Sequence, residues 1–257
     1  MDRKITINNL ILEVTRRCNL KCKHCLRGPA ENLSLGHGTV VEALHQLDAI
    51  GSITFTGGEP SLVPEVLKMI RGAVSLRQIN VENFYIATNG ITNDKYDHFM
   101  IEIFKWWMLC SDNEISSVDI SRDQWHKEVP PVEHHPLGAF RFTGERSIDS
   151  RPPFALINEG RTKRMTNLPI KSFGEMTFSR INCRRNIRSG SLIRSSWKDN
   201  GIEHIHFDDE SVYINVHGDV ILGCDFSYKS QDKLKIGNVH SDNLVELLES
   251  HSELEEI

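Results

Sequence analysis

The amino-acid sequence predicts an α/β fold in which parallel strands alternate with helices. Short β-branched apolar runs alternate with longer segments whose apolar residues recur at helical spacing. Each of the first four runs ends in a short polar turn, and strand, turn and helix follow one another four times. This order is typical of a parallel sheet or barrel with right-handed crossovers. The polar turns are therefore expected to gather on one face, at the carboxyl ends of the strands.

The individual elements follow from the same two periodicities. Strands are predicted at Leu10–Val14, Ser52–Phe55, Phe84–Ala87 and Ile115–Ile120, and helices at Val40–Ile50, Pro64–Val74 and Asn93–Leu109. Later candidates are a fifth strand at Phe154–Ile157, a sixth at Val212–Val216, a hairpin with Gly218 in its turn and a terminal helix at Leu244–Leu254. The segment from Gln124 to Pro153 has too little periodicity for an assignment.

Length and composition narrow the class of protein. The 257 residues fit one large domain, or one domain with a small extension. A net charge of −5 and a pI of about 6.2 give no global basic field, so nucleic-acid binding is not indicated. No apolar run approaches the length of a membrane span, and Met1–Lys4 lacks the apolar core of a signal peptide. Clustered cysteines in such a chain favour the reducing cytoplasm.

Three of the six cysteines lie within eight residues, in the loop that follows the first predicted strand. Cys18, Cys22 and Cys25 are spaced C-x3-C-x2-C. Thiolates select iron–sulfur clusters or zinc. A structural zinc site normally has four ligands, whereas a four-iron cluster held by three cysteines keeps one iron open for a small molecule. The spacing therefore favours a catalytic cluster, with zinc or unligated thiols as the alternatives.

A glycine pair and a carboxylate follow the second predicted strand. Gly57 and Gly58 let the backbone approach a ligand closely, and the Glu59 carboxylate can accept hydrogen bonds from an ammonium group. A glycine pair by itself is often only a turn. Its place downstream of the cysteine motif makes the combination much more specific than either part.

Together these motifs resemble the radical S-adenosylmethionine (SAM) superfamily, whose signature is C-x3-C-x2-C with an aromatic-type residue before the last cysteine. His24 occupies that position, and Gly57–Glu59 matches the superfamily's GGE motif. The resemblance implies an α/β fold, a partial six-stranded TIM-like (β/α) barrel with a small C-terminal α+β extension. It also implies a [4Fe-4S] cluster on Cys18, Cys22 and Cys25, with SAM bound at the open iron by its amino and carboxylate groups. Such enzymes cleave SAM reductively to a 5′-deoxyadenosyl radical, which abstracts hydrogen from the substrate.

The resemblance implies further SAM-binding residues at the strand ends. Glu59, with the two glycines before it, would bind the SAM amino group. Ser121 and Asp123, after the fourth strand, would meet the ribose or the carboxylate. Asn89 has a similar place after the third strand, and Arg161 could pair with the SAM carboxylate. A helix cap, a turn and a solvated arginine are the alternatives for these residues.

Three histidines are weaker candidates. His126, His134 and His135 lie beyond the fourth strand and could face the substrate, although most such histidines are surface residues. Cys110, in an apolar helix, is expected to be an ordinary buried thiol.

The tail, from Asn215 onwards, resembles the SPASM or twitch extension of some radical SAM enzymes, whose auxiliary clusters bind several cysteines. Only Cys183 and Cys224 are available nearby, and two thiolates cannot hold a cluster in the four-cysteine manner. We therefore expect one cluster per chain, a barrel over residues 1–210 and an extension without its own cluster over residues 211–257. The hairpin and the terminal helix of this extension are expected to cover the open end of the barrel.

The function predicted from these resemblances is that of a radical SAM enzyme. The tail favours a peptide or protein side chain as the substrate. A nucleotide or another small metabolite is the second possibility, and glycyl-radical activation is a third. A non-catalytic, metal-binding regulatory module is the alternative of another class. The expected partners are an electron donor such as flavodoxin or ferredoxin and the substrate peptide or small molecule, with no membrane.

Overall fold

A mostly parallel β-sheet with helices packed on one face is the framework of the protein. In the computed structural model, the residues described are 3–122, 125–146, 156–157, 160–161, 170–171 and 191–254. Among them, eleven strands form one sheet and two short strands form a second. No helix in these ranges is long and apolar enough to cross a membrane.

The bounds of the elements show short connections between most of them. The strands are β1 (Arg3–Thr15), β2 (Ala49–Gly57), β3 (Asn80–Thr88), β4 (Ser117–Ser121), β5 (Thr143–Arg146), β6 (Leu156–Ile157), β7 (Ile170–Lys171), β8 (Leu192–Asp199), β9 (Ile202–Asp208), β10 (Val212–Ile214), β11 (Asp219–Leu222), β12 (Lys235–Asn238) and β13 (Ser252–Leu254). The α-helices are α1 (His37–Leu44), α2 (Pro64–Arg77), α3 (Tyr96–Leu109), α4 (Tyr228–Leu234) and α5 (Leu244–Ser250). Short 3-10 helices lie at Pro60–Leu62, Asn113–Ile115, Val132–His134 and Pro136–Ala139.

Six consecutive strands of the large sheet run parallel, which confirms the predicted mixed α/β fold. Their order is β10-β1-β2-β3-β4-β5, and β11 and β12 extend the β10 side as antiparallel strands. The first half of β1 also pairs in parallel with β9, which forms a hairpin with β8. The described path of strands ends at β12 and at β5, so the sheet is open.

One of the six parallel strands differs from the sequence-based assignment. Of the predicted fifth strand, Leu156–Ile157 forms β6, which pairs with β7 in the two-stranded sheet rather than with β4; its first two residues lie outside the described ranges. The position beside β4 belongs to β5, in the segment that the sequence left unassigned. Its Thr-Gly-Glu-Arg sequence shows no apolar alternation, and a Cβ at Gly144 would lie 2.9 Å from the Asp119 carboxylate. The predicted sixth strand is β10, which lies beside β1.

Two helices end earlier than their apolar patterns suggest. The helix predicted over Val40–Ile50 is α1, which ends at Leu44, since β2 already begins at Ala49. The helix predicted over Leu244–Leu254 is α5, and its last residues instead form β13, which pairs with β8. After α1, the apolar residues Leu47, Ala49 and Ile50 continue into β2, so the pattern itself gives no signal of that boundary. After α5, polar residues continue up to Leu254, the last residue of β13.

The terminal helix α5 packs at the amino ends of the strands. Its residues Leu244, Val245 and Leu248 are buried in the core that lies between the sheet and its helices. The backbone N–H of Val245 donates to the side-chain oxygen of Gln46, in the connection that leads into β2. The helix therefore does not cover the carboxyl edge of the sheet, contrary to the expectation that it closes the open end of the barrel.

The register of β1–β4 aligns their carboxyl ends along one edge. Thr15 of β1 pairs with Gly57 of β2, and Thr88 of β3 pairs with Ile120 of β4. Residues on the helix side of these strands are buried, whereas the opposite side carries half-buried polar groups such as Asp119. The turns that follow β1, β2 and β3 are thus brought together beside a polar face of the sheet.

Candidate metal and cofactor site

The three cysteines predicted as ligands lie in one loop at the carboxyl end of β1. This cysteine loop, residues 16–35, is closed at its base where the Leu35 N–H donates to the Val14 carbonyl oxygen over 3.0 Å. Cys18, Cys22 and Cys25 are all half-buried in it. The loop therefore presents three partly accessible thiols from a fixed base.

Arg161 holds the cysteine loop through two backbone carbonyl groups. Its N–H donates to the Cys25 oxygen at 2.9 Å, and its guanidinium Nη1 donates to the Cys22 oxygen at 3.2 Å. Gly160 before it has a φ of +58°, and a Cβ there would lie 2.1 Å from the Leu26 oxygen. The arginine that resemblance assigns to the SAM carboxylate thus also binds the loop that carries the thiols.

Glu59 is buried in a set of neutral hydrogen-bond donors at the carboxyl end of β2. Its Oε1 accepts from the Ser61 N–H at 3.0 Å and from the Thr88 hydroxyl at 2.6 Å, and its Oε2 accepts from the Asn89 N–H at 2.7 Å. Burial raises the pKa of this carboxyl, and the donors from Thr88, Asn89 and Ser61 oppose that rise. A carboxylate has about four lone-pair sites, so three donors leave one for a cationic ligand.

The two glycines before Glu59 allow β2 to exit against the root of the cysteine loop. Gly57 has a φ of +126°, and a Cβ there would lie 2.0 Å from the Thr15 oxygen. A Cβ on Gly58 would lie 2.0 Å from the Arg17 oxygen. The close approach that the sequence predicts is therefore an approach to the protein's own backbone, and it places Glu59 beside the thiols.

Asn89 connects the end of β3 to the cysteine loop. Its Nδ2 donates to Asn19 Oδ1 at 2.8 Å and lies 3.9 Å from the Cys18 sulfur. Its Oδ1 accepts from the Ile91 N–H at 2.9 Å, which fixes the side-chain amide. Asn89 and Glu59 therefore both lie next to Cys18, and these three residues were expected in one site.

The donor set of the loop suits an iron–sulfur cluster. Burial raises the pKa of the Cys18 thiol to about 11, and the nearby charges of Glu59, Cys25 and Cys22 contribute to the rise. Bound iron favours deprotonated thiolates and would offset this repulsion. Within the described ranges, no three His, Cys, Asp or Glu side chains converge on a single metal ion. In a four-iron cluster each thiolate binds a different iron, so the sulfurs need not meet at one point.

A segment after β4 covers the thiols from the other side. His24 packs against Trp125, with ring centroids 4.2 Å apart, and against the edge of His126 at 5.5 Å. His126 is buried, and its Nε2 lies 3.5 Å from the Cys22 sulfur. From the sequence, His126 is only one of three weak candidates and Trp125 has no predicted role, since their contact with residues 22–24 arises from the fold.

The other two histidines of this segment have different surroundings. His135 is buried, accepts from the Leu137 N–H at its Nδ1, and places Nε2 2.9 Å from the Gly90 oxygen. Since Nδ1 accepts, the hydrogen-bond pattern assigns the ring proton to Nε2. His135 therefore supports the turn after β3, while His134 is exposed.

A buried polar network ties the tail to the base of the cysteine loop. The Glu13 carboxylate accepts from Arg16 Nε at 2.7 Å, from the Tyr213 hydroxyl at 2.6 Å and from Gln231 Nε2 at 2.6 Å. None of these four residues has a role predicted from the sequence. A charged residue inside the apolar run Leu10–Val14 was the one signal that could have indicated such a network.

A second contact joins the far end of the cysteine loop to the tail. Arg27 Nη1 donates to the carbonyl oxygens of Cys224 and Phe226, each at 2.8 Å, and its guanidinium lies over the Tyr213 ring. In return, the Tyr228 N–H donates to the Arg27 oxygen at 3.0 Å. The tail therefore packs on both ends of the cysteine loop.

The structure describes some of the remaining predicted residues but not others. Ser121 ends β4 and pairs in register with Arg146 of β5. Asp123 and Cys183 lie outside the described ranges. Cys224 is half-buried, and its backbone oxygen binds Arg27 as described above. Cys110 is buried, as predicted for an ordinary core thiol.

Comparison with known proteins identifies the part of the chain that holds this site. The sequence model described as "Radical SAM superfamily" matches residues 12–121, which include the cysteine loop and Glu59. GTP 3',8-cyclase of Corynebacterium glutamicum (strain R) is 37% identical over 99 residues, covering 34% of this chain and 26% of that protein. Pre-heme d1 synthase of Dinoroseobacter shibae is 34% identical over 86 residues, covering 32% of this chain and 20% of that protein. The chain thus spans about a fifth to a quarter of the length of these relatives.

Solved structures resemble the chain over most of its length at low sequence identity. One is described as native anSMEcpe with bound AdoMet and Cp18Cys peptide; it is 14% identical, has a TM-score of 0.47, and the match covers 96% of this chain and 80% of that one. Another is Streptococcus suis SuiB bound to precursor peptide SuiA, with 11% identity, a TM-score of 0.41 and coverage of 96% and 65%.

Proposed function

We propose that the protein is a radical SAM enzyme, because the sequence model of the radical SAM superfamily matches residues 12–121. The observation that carries the proposal is that the two predicted parts of the site, the cysteine loop and Glu59, lie next to each other. Three half-buried thiols lie on one loop, and the buried carboxylate of Glu59 is close enough to raise the pKa of Cys18. Thiolates would hold a [4Fe-4S] cluster, and the carboxylate would receive the ammonium group of SAM.

A bound [4Fe-4S] cluster and SAM would together supply the electron transfer and the 5′-deoxyadenosyl radical that abstracts hydrogen from a substrate. The chain's own residues would hold and orient these groups. Glu59 would offer its remaining lone pair to the ammonium, and neutral donors already fix its orientation. Asn89 lies beside Cys18 and is held by two further hydrogen bonds, so it would meet the same ligand. Arg161 would keep the loop in shape through the Cys22 and Cys25 carbonyls.

Two elements would exclude water from the thiols. Trp125 and His126 pack on His24 from one side, and the tail packs on the ends of the loop through Arg16 and Arg27. Exclusion of water matters because a reactive radical is easily quenched when other groups reach it. We place Ser121 and Asp123 at the ribose or carboxylate of SAM, as the superfamily resemblance implies.

For the substrate, we propose a peptide or protein side chain. The support is the resemblance of the tail to SPASM or twitch extensions and the position of β5, beyond which the described residues add no further strand to this edge of the sheet. A nucleotide or another small metabolite is the second candidate, and the relatives named GTP 3',8-cyclase favour it. Their match is confined to about a third of this chain, so it bears on the cofactor site more than on substrate choice.

The remaining parts of the proposal concern the tail, the electron source and the compartment. We propose one cluster per chain, with residues 1–210 as the barrel and residues 211–257 as an extension without a cluster of its own. A low-potential donor such as flavodoxin or ferredoxin would reduce the cluster, and the reducing cytoplasm would protect its thiolates.

Anaerobic reconstitution with iron and sulfide tests the proposal. The protein should take up about four irons per chain and, once reduced, release 5′-deoxyadenosine from SAM. Cys22→Ala should lose both properties. Cys110→Ala is the matched control, because Cys110 is a buried thiol at the end of α3, and it should retain both.

Two outcomes would contradict the proposal. Stoichiometric zinc without iron uptake would favour the alternative of a metal-binding regulatory module. Iron uptake without any SAM cleavage by the reduced protein would remove the enzymatic function while keeping the cluster. To choose the substrate, the same assay can be run with precursor-type peptides and with GTP, since the correct class should increase the rate of SAM cleavage.

A further inference from the structure

The outward face of α3 carries a stripe of exposed apolar side chains. Ile101, Phe104 and Met108 are 49%, 40% and 57% exposed, and their spacing of three and four residues places them on one side of the helix. Phe140, which follows the 3-10 helix Pro136–Ala139, lies beside them, and the four side chains line a groove that we call the α3 groove. Contiguous apolar surface of this kind marks an interaction site, whereas singly scattered apolar residues do not.

Stacked aromatic rings support the α3 groove from below. Phe104 stacks on Trp107 and on Phe140, in both cases with ring centroids 5.9 Å apart. Phe142 stacks on Phe140 at 5.1 Å and on Trp107 at 5.7 Å, so the four rings form a closed set of contacts. Because these contacts fix the rings, the surface is formed before a partner binds, and association would cost little side-chain freedom.

One acidic and one basic side chain flank the stripe at equal distances from Ile101. Asp97 precedes Ile101 by four residues, Lys105 follows it by four residues, and both line the groove. At a helical rise of about 1.5 Å per residue, each lies about 6 Å from Ile101 along the helix axis. Lys105 Nζ donates to Glu102 at 3.0 Å, and its ammonium group carries two further donors. This charge pattern is complementary to its own copy when that copy runs in the opposite direction.

We propose that the α3 groove binds a second copy of this chain, with the two α3 helices antiparallel and a twofold axis at Ile101. In this arrangement Asp97 of each chain faces Lys105 of the other, and the apolar side chains between them are removed from water. A strongly acidic or strongly basic partner would meet a like charge at one end of the stripe, whereas the second copy meets the opposite charge at both ends.

The contact is small, because each chain contributes one helix face and the aromatic side chain beside it. Interfaces of this size lie at the low end of those that are specific, and we expect a dissociation constant of about 10–100 μM. The inference does not depend on the cluster chemistry proposed above, so the two can fail separately.

Sedimentation velocity of the full chain, at concentrations from about 5 to 500 μM, tests for the dimer. Ile101→Lys places two like charges on the twofold axis and should weaken the dimer by at least about tenfold. Because Ile101 is half-exposed, the variant should unfold at nearly the same urea concentration as the wild type. Leu76→Lys is the matched control, since Leu76 is 86% exposed on α2 and lies outside the groove, and this variant should dimerise like the wild type.

A pair of charge reversals tests the antiparallel arrangement itself. In a dimer of Asp97→Lys, lysines would face each other at both ends of the stripe, and in a dimer of Lys105→Asp, aspartates would do so. Each variant alone should therefore be mainly monomeric. When the two are mixed in equal amounts, every lysine at these positions faces an aspartate, so dimers should form again with roughly the wild-type affinity. Glu102 keeps its 3.0 Å bond from Arg71 when Lys105 is replaced.

Three results would overturn the inference. The first is a wild type that stays monomeric at the highest concentration. The second is a dimer that Ile101→Lys weakens no more than Leu76→Lys does, because the contact would then lie elsewhere on the chain. The third is a mixture of the two charge-reversal variants that forms no dimer although the wild type does.

Discussion

The hydroxyl of Thr88 donates a 2.6 Å hydrogen bond to Oε1 of Glu59, so the carboxyl ends of β3 and β2 are joined through a buried carboxylate. Thr88→Val keeps the shape of the side chain but removes this donor. We expect a loss of about 1.5–3 kcal/mol in the free energy of unfolding, because the bond involves a charged acceptor. Urea unfolding measures this loss, and Thr88→Ser, which keeps the hydroxyl, should recover most of it. Equal stability of the valine and serine variants would contradict the role of the hydroxyl.

Glu59→Gln should weaken SAM binding while the iron content stays the same. The amide has the shape of the carboxylate but lacks its charge, so the contact with the SAM ammonium should weaken by about 1–3 kcal/mol. Equilibrium binding of SAM to the reconstituted protein measures the effect. Glu65→Gln is the control, since Glu65 is 56% exposed on α2 and pairs with Lys95. If both variants bind SAM as tightly as the wild type, Glu59 is not part of the SAM site.

Gly57→Ala and Gly72→Ala should have opposite effects on stability. Gly57 has a positive φ, and a Cβ at this position would lie 2.0 Å from the Thr15 oxygen, so a methyl group does not fit there. The alanine there should cost more than about 1–3 kcal/mol. Gly72 lies within α2, and no atom would lie within 4 Å of a Cβ at this position. Gly72→Ala should therefore raise the free energy of unfolding by about 0.5–1 kcal/mol. Urea unfolding of both variants tests the pair, and destabilisation by Gly72→Ala would contradict the open surroundings of that position.

Arg161→Ala should release iron to a chelator faster than the wild type. The substitution removes the guanidinium bond to the Cys22 oxygen but keeps the backbone bond to the Cys25 oxygen. The loop should therefore loosen without losing its thiols. Arg122→Ala, which removes an exposed arginine paired with Glu145, is the control. A large loss of SAM affinity with an unchanged rate of iron release would instead assign Arg161 to the SAM carboxylate, as the superfamily resemblance implies.

Glu102 should stabilise the fold at neutral pH and lose this effect in acid. Burial alone would raise its pKa, but hydrogen bonds from Lys105 and Arg71 lower it below the ordinary value of 4.5. A lowered folded-state pKa means that the stabilisation is complete above the unfolded pKa and disappears as the pH falls through the folded one. The difference in unfolding free energy between the wild type and Glu102→Gln should therefore shrink from pH 7 to pH 3.

The control for this pH dependence is Glu114→Gln. Glu114 pairs with Arg141, but both side chains are mostly exposed, so the pair is screened by solvent. Its removal should change the unfolding free energy by less than about 1 kcal/mol at either pH. A constant difference for Glu102→Gln from pH 7 to pH 3 would show that its ion pairs do not contribute to stability.

The sequence by itself determined the parts of the protein that depend on local pattern. Alternating strands and helices predicted the parallel α/β sheet, because strands and helices each have a characteristic spacing of apolar residues. The spacing of Cys18, Cys22 and Cys25, and the Gly-Gly-Glu run ending at Glu59, predicted two halves of one site. Since parallel strands bring their carboxyl ends to one edge, the local motifs were enough to predict that these halves meet.

Only the tertiary structure decided which distant segments complete the sheet and the site. The strand beside β4 is the polar β5, whose residues carry no apolar alternation. The contacts of His126 with Cys22, of Tyr213 with Glu13 and of Tyr228 with Arg27 join residues from distant parts of the chain. Such contacts leave no periodic trace in the sequence, because a buried polar group is satisfied by whichever partner the packing brings within hydrogen-bond distance.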